Sequence, residues 1–199
     1  MMPGILLAAG ASTRMGRPKA LLPLGGVTFV RRVLDTLKSA GLSEIVVVVR
    51  PGHDAVIAEV EASSIGRVVV NGRAENGQLT SLVAGLEAVD APNVNGVLVT
   101  LVDVPLIQAS TVRTLIARAA HTDAPVLRAV HRGRHGHPVI FTRAVFDALR
   151  AADPAVGAKS VMRSVRIEDV EVDDPGVFED VDTPDDYQRL IGPAPDRES

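Results

Sequence analysis

The 199-residue chain is 46% hydrophobic but contains one Tyr, four Phe and no Trp, so its core must be built from aliphatic side chains. A net charge of −3 and an isoelectric point near 5.9 argue against a nucleic-acid partner, because nucleic-acid-binding domains usually present a basic surface. The absence of cysteine excludes disulfides, thiolate metal sites and cysteine nucleophiles.

No apolar stretch approaches the roughly 18 residues that a membrane span requires. The N-terminus also lacks the basic region and the long apolar segment of a signal peptide. We therefore expect a soluble, cytoplasmic protein without a membrane partner.

Short aliphatic runs predict β-strands, and the first four are nearly continuous, as expected for strands buried on both faces of a sheet. The predicted strands are Ile5–Ala9, Ile45–Val49, Val68–Val70, Val97–Val102, Val126–Val130, Val139–Phe141 and Ile167–Val172. Apolar residues at helical spacing alternate with them, at Phe29–Leu37, Val56–Val60, Leu79–Val89 and Val112–Ile116. This alternation predicts an α/β fold with a doubly wound, mostly parallel sheet.

No Pro- or Gly-rich segment divides the chain into two core-sized halves, so we expect a single domain over residues 1–191. The polar, Pro-rich residues 192–199 are expected to form a frayed tail. Ligands of such sheets bind beyond the carboxyl ends of the strands, so the residues after each strand are the candidates for function.

The first predicted strand runs into a loop of small residues with two cations, Arg14 and Lys19. Small side chains let backbone N–H groups approach an anion, and Gly10 and Gly16 permit the backbone angles that such a loop needs. The planar Arg14 guanidinium suits phosphate oxygens, whereas the Lys19 ammonium is a point charge. The loop matches neither the G-x-G-x-x-G pattern nor the Walker A spacing. A solvated turn is the alternative, but strand, loop and cations together favour a phosphate site.

After the third strand, Asn71-Gly72 and the segment Glu75–Leu82 form a loop that leads into a helix. The amides of Asn71 and Gln78 each donate and accept hydrogen bonds, so they suit the edge of a nucleobase. Ordinary turn and N-cap chemistry accounts for the same residues equally well.

Asp103 directly follows the fourth strand. A carboxylate at the end of a buried strand is well placed to bind Mg²⁺, which prefers hard oxygen ligands. The alternative is that Asp103 caps the following helix.

Near the C-terminus, Thr183 is predicted to cap a helix that begins at Pro184, with two acidic residues in its first turn, Asp185 and Asp186. This accounts for the downstream acids without any function. It leaves Asp180 and Asp182 unexplained.

The segment His131–Val139 contains three of the five histidines. At strand spacing His135 and His137 share a face, so a zinc site is one interpretation, and a metal-free His-rich loop is the favoured one. Arg132 and Arg134 either attract an anion or are simply solvated. His53 and His121 have only a structural interpretation, as residues at helix edges.

The segment Leu7–Leu22 fills every defined position of the signature L-A-[A/G]-G-x-S-x-R-M-G-x-x-K-x-L-L. It resembles the MobA/MocA-like nucleotidyltransferases, which attach a nucleotide to the phosphate of molybdopterin and are similar in fold to sugar-nucleotide pyrophosphorylases. Two more segments resemble the cytidylyltransferase branch, Gly136–Val139 (G-H-P-V) and Asp180–Asp186 (D-V-D-T-P-D-D). The resemblance implies a Rossmann-like fold of the nucleotide-diphospho-sugar transferase type.

The resemblance also implies roles for individual residues. Arg14, Lys19 and Asp103 would act in catalysis, and Asp103 and Asp182 would bind Mg²⁺. The implied nucleotide-binding residues are Leu7, Ala8, Ala9, Gly10, Ser12, Thr13, Arg14, Gly16, Lys19, Asn71, Gly77 and Gln78.

The implied acceptor-binding residues are His137, Pro138 and Lys159. The third departs from the branch, which often reads G-D-x-G-A-R where this chain has Asp153–Ser160. Lys159 keeps the positive charge of the Arg but loses its bidentate fork, so the identity of the acceptor is open.

The implied reaction is a Mg²⁺-dependent transfer of CMP from CTP to the phosphate of molybdopterin, with an apo-molybdoenzyme as a further partner. An acceptor phosphate is already anionic, so the transfer requires positioning and charge stabilisation rather than a general base. Close alternatives are a GTP-dependent transfer and a transfer to a phosphosugar or phosphoalcohol. The alternative from another class is a non-catalytic carrier of a nucleotide or of molybdenum cofactor.

Overall fold

A computed structural model describes residues 1–10 and 17–192. The β-strands of these residues form a seven-stranded sheet and a two-stranded hairpin. The strands are β1 (Gly4–Leu7), β2 (Pro23–Leu24), β3 (Val27–Thr28), β4 (Ile45–Val49), β5 (Arg67–Val70), β6 (Gly96–Leu101), β7 (Val126–His131), β8 (Arg134–Thr142) and β9 (Ile167–Glu171).

The α-helices cover both faces of the large sheet. They are α1 (Phe29–Ser39), α2 (Asp54–Ser63), α3 (Gln78–Val89), α4 (Ala109–Ala119), α5 (Phe146–Ala151), α6 (Lys159–Ser164) and α7 (Pro184–Leu190). Within residues 1–10 and 17–192, no helix combines the length and the apolar character needed to cross a membrane.

The large sheet has the strand order β5-β4-β1-β6-β8-β7-β9. All its pairs are parallel except those of β8, which runs antiparallel to β6 and to β7. The predicted doubly wound, mostly parallel sheet is thus confirmed. Because β5, β4, β1 and β6 are parallel neighbours, their carboxyl ends meet at one edge, where the predicted loops begin.

Alternate residues of the central strands feed two apolar layers. Leu6 and Val47 pack in the layer under α1, α2, α4 and α7, whereas Ile5, Leu7 and Val46 pack in the layer under α3, α5 and α6. The large, fully buried side chains are mainly Leu and Ile, with two Phe among them, as the aliphatic composition predicts.

Several boundaries differ from the predictions. β1 ends at Leu7 rather than at Ala9, so Ala8 and Ala9 belong to the loop. The last predicted strand before α5 is longer, because β8 includes Arg134 to His137 of the His-rich segment. The hairpin β2–β3 was missed because each strand has two residues, and α5 and α6 were missed because six residues scarcely show a helical period. Residues 193–199 of the predicted tail lie outside the described residues.

Candidate active site

The carboxyl edge of the sheet holds a cavity of about 250 Å³. It contains seven of the predicted site residues, which are Leu7, Ala8, Ala9, Gly10, Lys19, Gln78 and Asp103. Its other lining residues are Pro18, Ala20, His53, Ala74, Ser81, Leu101 and Val102. Ser12, Thr13, Arg14 and Gly16, which were also predicted to bind the nucleotide, lie outside the described residues.

Lys19 begins the short 3-10 turn Lys19–Leu21 and joins two carboxylates that are distant in sequence. Its Nζ donates to Asp103 Oδ2 at 3.1 Å and also to Asp182 Oδ1. Burial alone would lower the pKa of Lys19, but the hydrogen bonds and charges of Asp182 and Asp103 outweigh it and raise the pKa above its usual 10.5. Lys19 is therefore fully protonated at neutral pH.

Asp103 is not a helix cap, because α4 begins at Ala109 and its N-cap residue is Gln108. Its Oδ2 accepts from Lys19, whereas its buried Oδ1 has no hydrogen-bond partner in the part of the chain that the structure describes. Its backbone carbonyl accepts from Val181 N at 2.8 Å, which brings the chain that carries Asp182 to the end of β6.

The capping box at the start of α7 also holds the backbone of Asp182 in place. Thr183 accepts from Asp186 N at 3.1 Å, and Asp186 Oδ2 accepts from the backbone N–H groups of Thr183 at 3.0 Å and Asp182 at 3.3 Å. This confirms the predicted cap at Thr183 and the helix start at Pro184. The local cap and the Val181–Asp103 bond together explain how carboxylates 79 positions apart share one cation.

Asp103 and Asp182 fit a magnesium-type site by their chemistry. Both present hard oxygen atoms to a common positive charge, and the buried Asp103 Oδ1 accepts no hydrogen bond from any described residue. Mg²⁺ is usually bound by one or two carboxylates together with phosphates and waters. Within the described residues, no group of three or more His, Cys, Asp or Glu side chains is arranged to hold a metal. The pair His135 and His137 therefore gains no third ligand there.

Asp180 adds negative charge beside this pair. Burial, followed by repulsion from Asp103 and Asp182, raises its pKa above the usual 3.8. The role of Asp180, which the sequence left open, is thus at least electrostatic.

The loop after β5 is organised by Asn71, whose side chain is buried. Its Nδ2 donates to Thr80 Oγ1 at 2.9 Å and to Ser81 Oγ at 3.0 Å, and its Oδ1 accepts from Arg73 N at 2.9 Å. Asn71 lines neither cavity described here, so its predicted contact with a nucleotide stays a prediction. Its hydrogen bonds with Thr80 and Ser81 show that Asn71 positions the first turn of α3.

Gly77 and Gln78 lie where this loop enters α3. Gly77 has a φ of 106°, a conformation that favours glycine, and serves as the N-cap residue. Gln78 is exposed and lines both cavities. Their predicted contacts with a nucleotide stay predictions.

Sequence reasoning missed His53, which follows β4 and precedes α2. It lines the small cavity, and its buried Nδ1 has no hydrogen-bond partner among the described residues. Burial, with a smaller effect of the Arg50 charge, lowers the pKa of His53 below 6.5. Its position after a strand of the sheet was the signal that could have identified it.

A larger groove of about 960 Å³ adjoins the small cavity and shares Leu7, Gln78 and Leu101 with it. Its floor is apolar, with Val99, Val139, Phe141, Leu79, Leu82, Met162 and Ile167. Its titratable residues are mostly basic, namely Arg128, His135, His137, Lys159 and Arg163, with Asp180 as the acidic exception.

Two of the predicted acceptor-binding residues, His137 and Lys159, line this groove, whereas Pro138 is buried and does not. Burial lowers the pKa of His137 below 6.5, although a hydrogen bond to the Val99 backbone and the Asp103 charge act in the opposite direction. His137 is therefore mainly neutral at pH 7. It is a hydrogen-bonding group rather than a cation in the groove.

The position before His137 has no room for a side chain larger than that of Gly136. A Cβ there would lie 1.8 Å from the carbonyl oxygen of Val177 and 2.5 Å from its carbonyl carbon. The turn Pro175–Phe178 packs directly on β8 at this point. That contact places Val177 and Phe178 in the groove wall.

Asp174, which is 2% exposed, anchors the turn Pro175–Phe178. Its carboxylate accepts from Gln108 N at 2.8 Å, Thr111 Oγ1 at 2.6 Å and Gly176 N at 3.0 Å. These bonds account for a buried charge without any functional role.

The chain is similar to known proteins over most of its length. The family model described as MobA-like NTP transferase domain matches residues 4–170. Over 200 residues the chain is 34% identical to nicotine blue oxidoreductase of Paenarthrobacter nicotinovorans, covering 94% of this chain and 95% of that protein.

Solved structures of other proteins have the same fold over nearly the whole chain. The crystal structure of Rv0371c from Mycobacterium tuberculosis H37Rv is similar with a TM-score of 0.83 and 32% identity over 96% of both chains. Its complex with manganese has a TM-score of 0.79 and 30% identity over 96% of this chain and 97% of that one. A nucleotidyl transferase from Methanothermobacter has a TM-score of 0.74 and 27% identity over 96% of both chains.

Proposed function

Because this chain belongs to the MobA-like NTP transferase family and is thus a nucleotidyltransferase, we propose that it transfers CMP from CTP to the phosphate of molybdopterin. The observation that carries the proposal is the position of the Lys19, Asp103 and Asp182 cluster. Lys19 and Asp103 line the small cavity, Lys19 also binds Asp182, and the larger groove adjoins this cavity, so a nucleotide and an acceptor would meet beside these charges.

In the proposed reaction, an oxygen of the acceptor phosphate attacks the α-phosphorus of the nucleotide. A new P–O bond forms, the bond from the α-phosphorus to its bridging oxygen breaks, and pyrophosphate leaves with that electron pair. The acceptor oxygen carries no proton at neutral pH, so no side chain has to accept one. The protein's task is then to hold two anions in line and to offset their repulsion.

The described residues suit these tasks. Lys19 would release the carboxylates and bind the phosphates. Asp103 and Asp182 would hold Mg²⁺, which when bound neutralises charge on the α-phosphate. The known manganese complex of Rv0371c supports a divalent cation in the family.

The choice of CTP and molybdopterin rests on three sequence segments and on the groove. Ala9 in the first loop, the G-H-P-V segment and the D-V-D-T-P segment group this chain with the cytidylyltransferase branch. An apolar floor beside basic side chains also suits a flat ring system that carries a phosphate. An apo-molybdoenzyme would receive the product.

The direct test is a transfer assay with molybdopterin, Mg²⁺ and each of CTP, GTP, ATP and UTP, with pyrophosphate release as the readout. We expect turnover with CTP, loss of turnover with EDTA, and recovery with added Mg²⁺ or Mn²⁺. Turnover with GTP alone would contradict the choice of base. Turnover only with a phosphosugar or phosphoalcohol would contradict the acceptor.

Two further arms address other classes of function. A carrier would bind nucleotide or molybdenum cofactor but release no pyrophosphate, and Asp103→Ala would leave delivery intact. Reduction of nicotine blue, suggested by the name of the relative that is 34% identical, would contradict the proposal if it occurred without any nucleotidyl transfer.

A further inference from the structure

His53 is a polar residue of the small cavity that the proposed phosphate chemistry does not use. Its side chain lies in the cavity wall with Gln78 and Ser81, and its buried Nδ1 makes no hydrogen bond within residues 1–10 and 17–192. A buried polar atom without a partner costs free energy, so it is most simply explained as the counterpart of a ligand group.

The strand order places His53 away from the phosphate-binding end. β1 lies between β4 and β6, and His53 follows β4 whereas Asp103 follows β6. Neighbouring strands are about 4.8 Å apart, so the ends of β4 and β6 are roughly 10 Å apart. With its phosphates at Lys19 and Asp103, a nucleotide would direct its base past β1 toward β4 and β5.

The chemistry of His53 agrees with a neutral ligand group. Burial and the Arg50 charge lower its pKa, so at pH 7 the ring is mainly uncharged and does not serve as a phosphate-binding cation. A neutral imidazole nitrogen donates or accepts a single hydrogen bond, according to its tautomer. That suits the amino, ring-nitrogen and carbonyl groups along a base edge.

The neighbouring groups form a consistent surface. Ser81 Oγ is fixed by Asn71 Nδ2 at 3.0 Å, and Asn71 is itself held by Thr80 and Arg73. Gln78 contributes an amide in the first turn of the same helix. The lining of the small cavity thus includes one group from the loop after β4 and two from the start of α3.

We infer that His53 is a specificity-determining residue that hydrogen-bonds the polar edge of the nucleobase through Nδ1. This inference rests on the proposed nucleotidyl transfer, but it concerns only which base is accepted. Ser81 and Gln78 complete the polar surface, and Asn71 acts as a positioning residue for Ser81.

The test compares CTP with UTP, which differ only at the base edge. Dissociation constants are measured by calorimetry with Mg²⁺ and no acceptor, and kcat/KM is measured in the transfer assay. For His53→Ala we expect the preference for the favoured nucleotide to fall about 10- to 100-fold, mainly through KM. His53→Asn, whose amide reaches the position of Nδ1, should restore part of the preference. If GTP is the favoured nucleotide, ITP replaces UTP as the comparison.

His121→Ala is the matched control, because His121 is an exposed histidine just beyond the end of α4. It should leave binding and preference unchanged. An unchanged base preference in His53→Ala, or an equal loss for all four nucleotides that Asn does not rescue, would overturn the role of His53. A wild-type protein that binds nucleotides selectively but never transfers them would contradict the proposed function and leave the His53 test decisive in calorimetry.

Discussion

The ammonium group of Lys19 lies 3.1 Å from Oδ2 of Asp103, although 84 positions separate the two residues. The contact joins the segment after β1 to the end of β6. The Lys19 and Asp103 side chains are only 15% and 24% exposed, so the attraction between them is less screened than in a surface ion pair. This cation stands between the two carboxylates that are proposed to hold a metal.

The first prediction concerns Asp103. Asp103→Asn keeps the size of the side chain but removes the charge, so the proposed metal ligand is lost. Metal stabilisation of a phosphoryl transition state amounts to several kcal/mol, so we expect kcat to fall by about a thousandfold or more. Pyrophosphate release at saturating nucleotide measures this effect.

Asp147→Asn is the control for the removal of one aspartate charge, because the Asp147 side chain is fully exposed on α5. It should leave kcat unchanged. An Asp103→Asn enzyme that keeps more than a tenth of wild-type kcat would rule out Asp103 as an essential metal ligand.

The second prediction concerns Lys19. Lys19→Met removes the positive charge between Asp103 and Asp182, so the nucleotide-free protein should bind Mn²⁺ roughly tenfold more tightly, as measured by electron paramagnetic resonance. Turnover should nevertheless fall about 100- to 1000-fold, because a donor to the phosphates is lost. Affinity and activity are thus expected to change in opposite directions.

Lys19→Arg separates charge from shape, since it keeps the positive charge and should leave Mn²⁺ affinity near that of the wild type. Lys38→Met, on the exposed end of α1, controls for the loss of any lysine. Weaker Mn²⁺ binding by Lys19→Met would show that Lys19 supports the metal rather than competing with it.

The third prediction concerns Gly136. In Gly136→Ala the new methyl group would overlap the Val177 carbonyl, which is backbone and has little freedom to move. We expect a loss of about 1–3 kcal/mol in the free energy of unfolding, measured by urea denaturation. The KM for the acceptor should rise as well, because the displaced turn forms part of the groove wall.

Gly72→Ala is the matched control, because within the described residues no atom beyond its chain neighbours lies within 4 Å of the Cβ that it would add. An unchanged unfolding free energy and acceptor KM in Gly136→Ala would mean that the turn moves away without cost.

Much of the site was predictable because its residues come directly after the strands of the sheet. The end of β1 led to Gly10 and Lys19, the end of β6 to Asp103, and the cap at Thr183 to the segment with Asp182. Each of these depends on a local pattern together with the rule that parallel strands end at one edge.

The rest depends on contacts between distant parts of the chain. The reversed direction of β8 leaves no mark on apolar periodicity, and the groove between α3 and α6 is formed only when α6 and the turn Pro175–Phe178 meet the sheet. The amide of Asn71 had two equally good uses by sequence, and only its buried contacts with Thr80 and Ser81 distinguish them. His53 follows a predicted strand, but its place in the wall of the small cavity is visible only in the folded chain.

The fourth prediction concerns pH and the capping box of α7. The Thr183 hydroxyl, followed by Arg189 and backbone N–H groups, lowers the pKa of Asp186 from 3.8 to about 2. Because the pKa is lower in the folded state, Asp186 stabilises the fold above pH 3.8, and this stabilisation is lost as the pH falls through about 2. The stability difference between wild type and Asp186→Asn should be full at pH 5 and disappear near pH 2.

Urea denaturation at each pH measures that difference, and Asp185→Asn is the control because it removes a charge from the same turn without altering the Thr183–Asp186 bonds. The box also accepts from the backbone N–H of Asp182, so Asp186→Asn should loosen the proposed metal carboxylate and weaken Mn²⁺ binding at pH 7. A stability difference that stayed constant from pH 5 to pH 2 would show that Asp186 titrates alike in the folded and unfolded chains. The capping box would then be held by its neutral hydrogen bonds, and the carboxylate charge would contribute nothing to the position of Asp182.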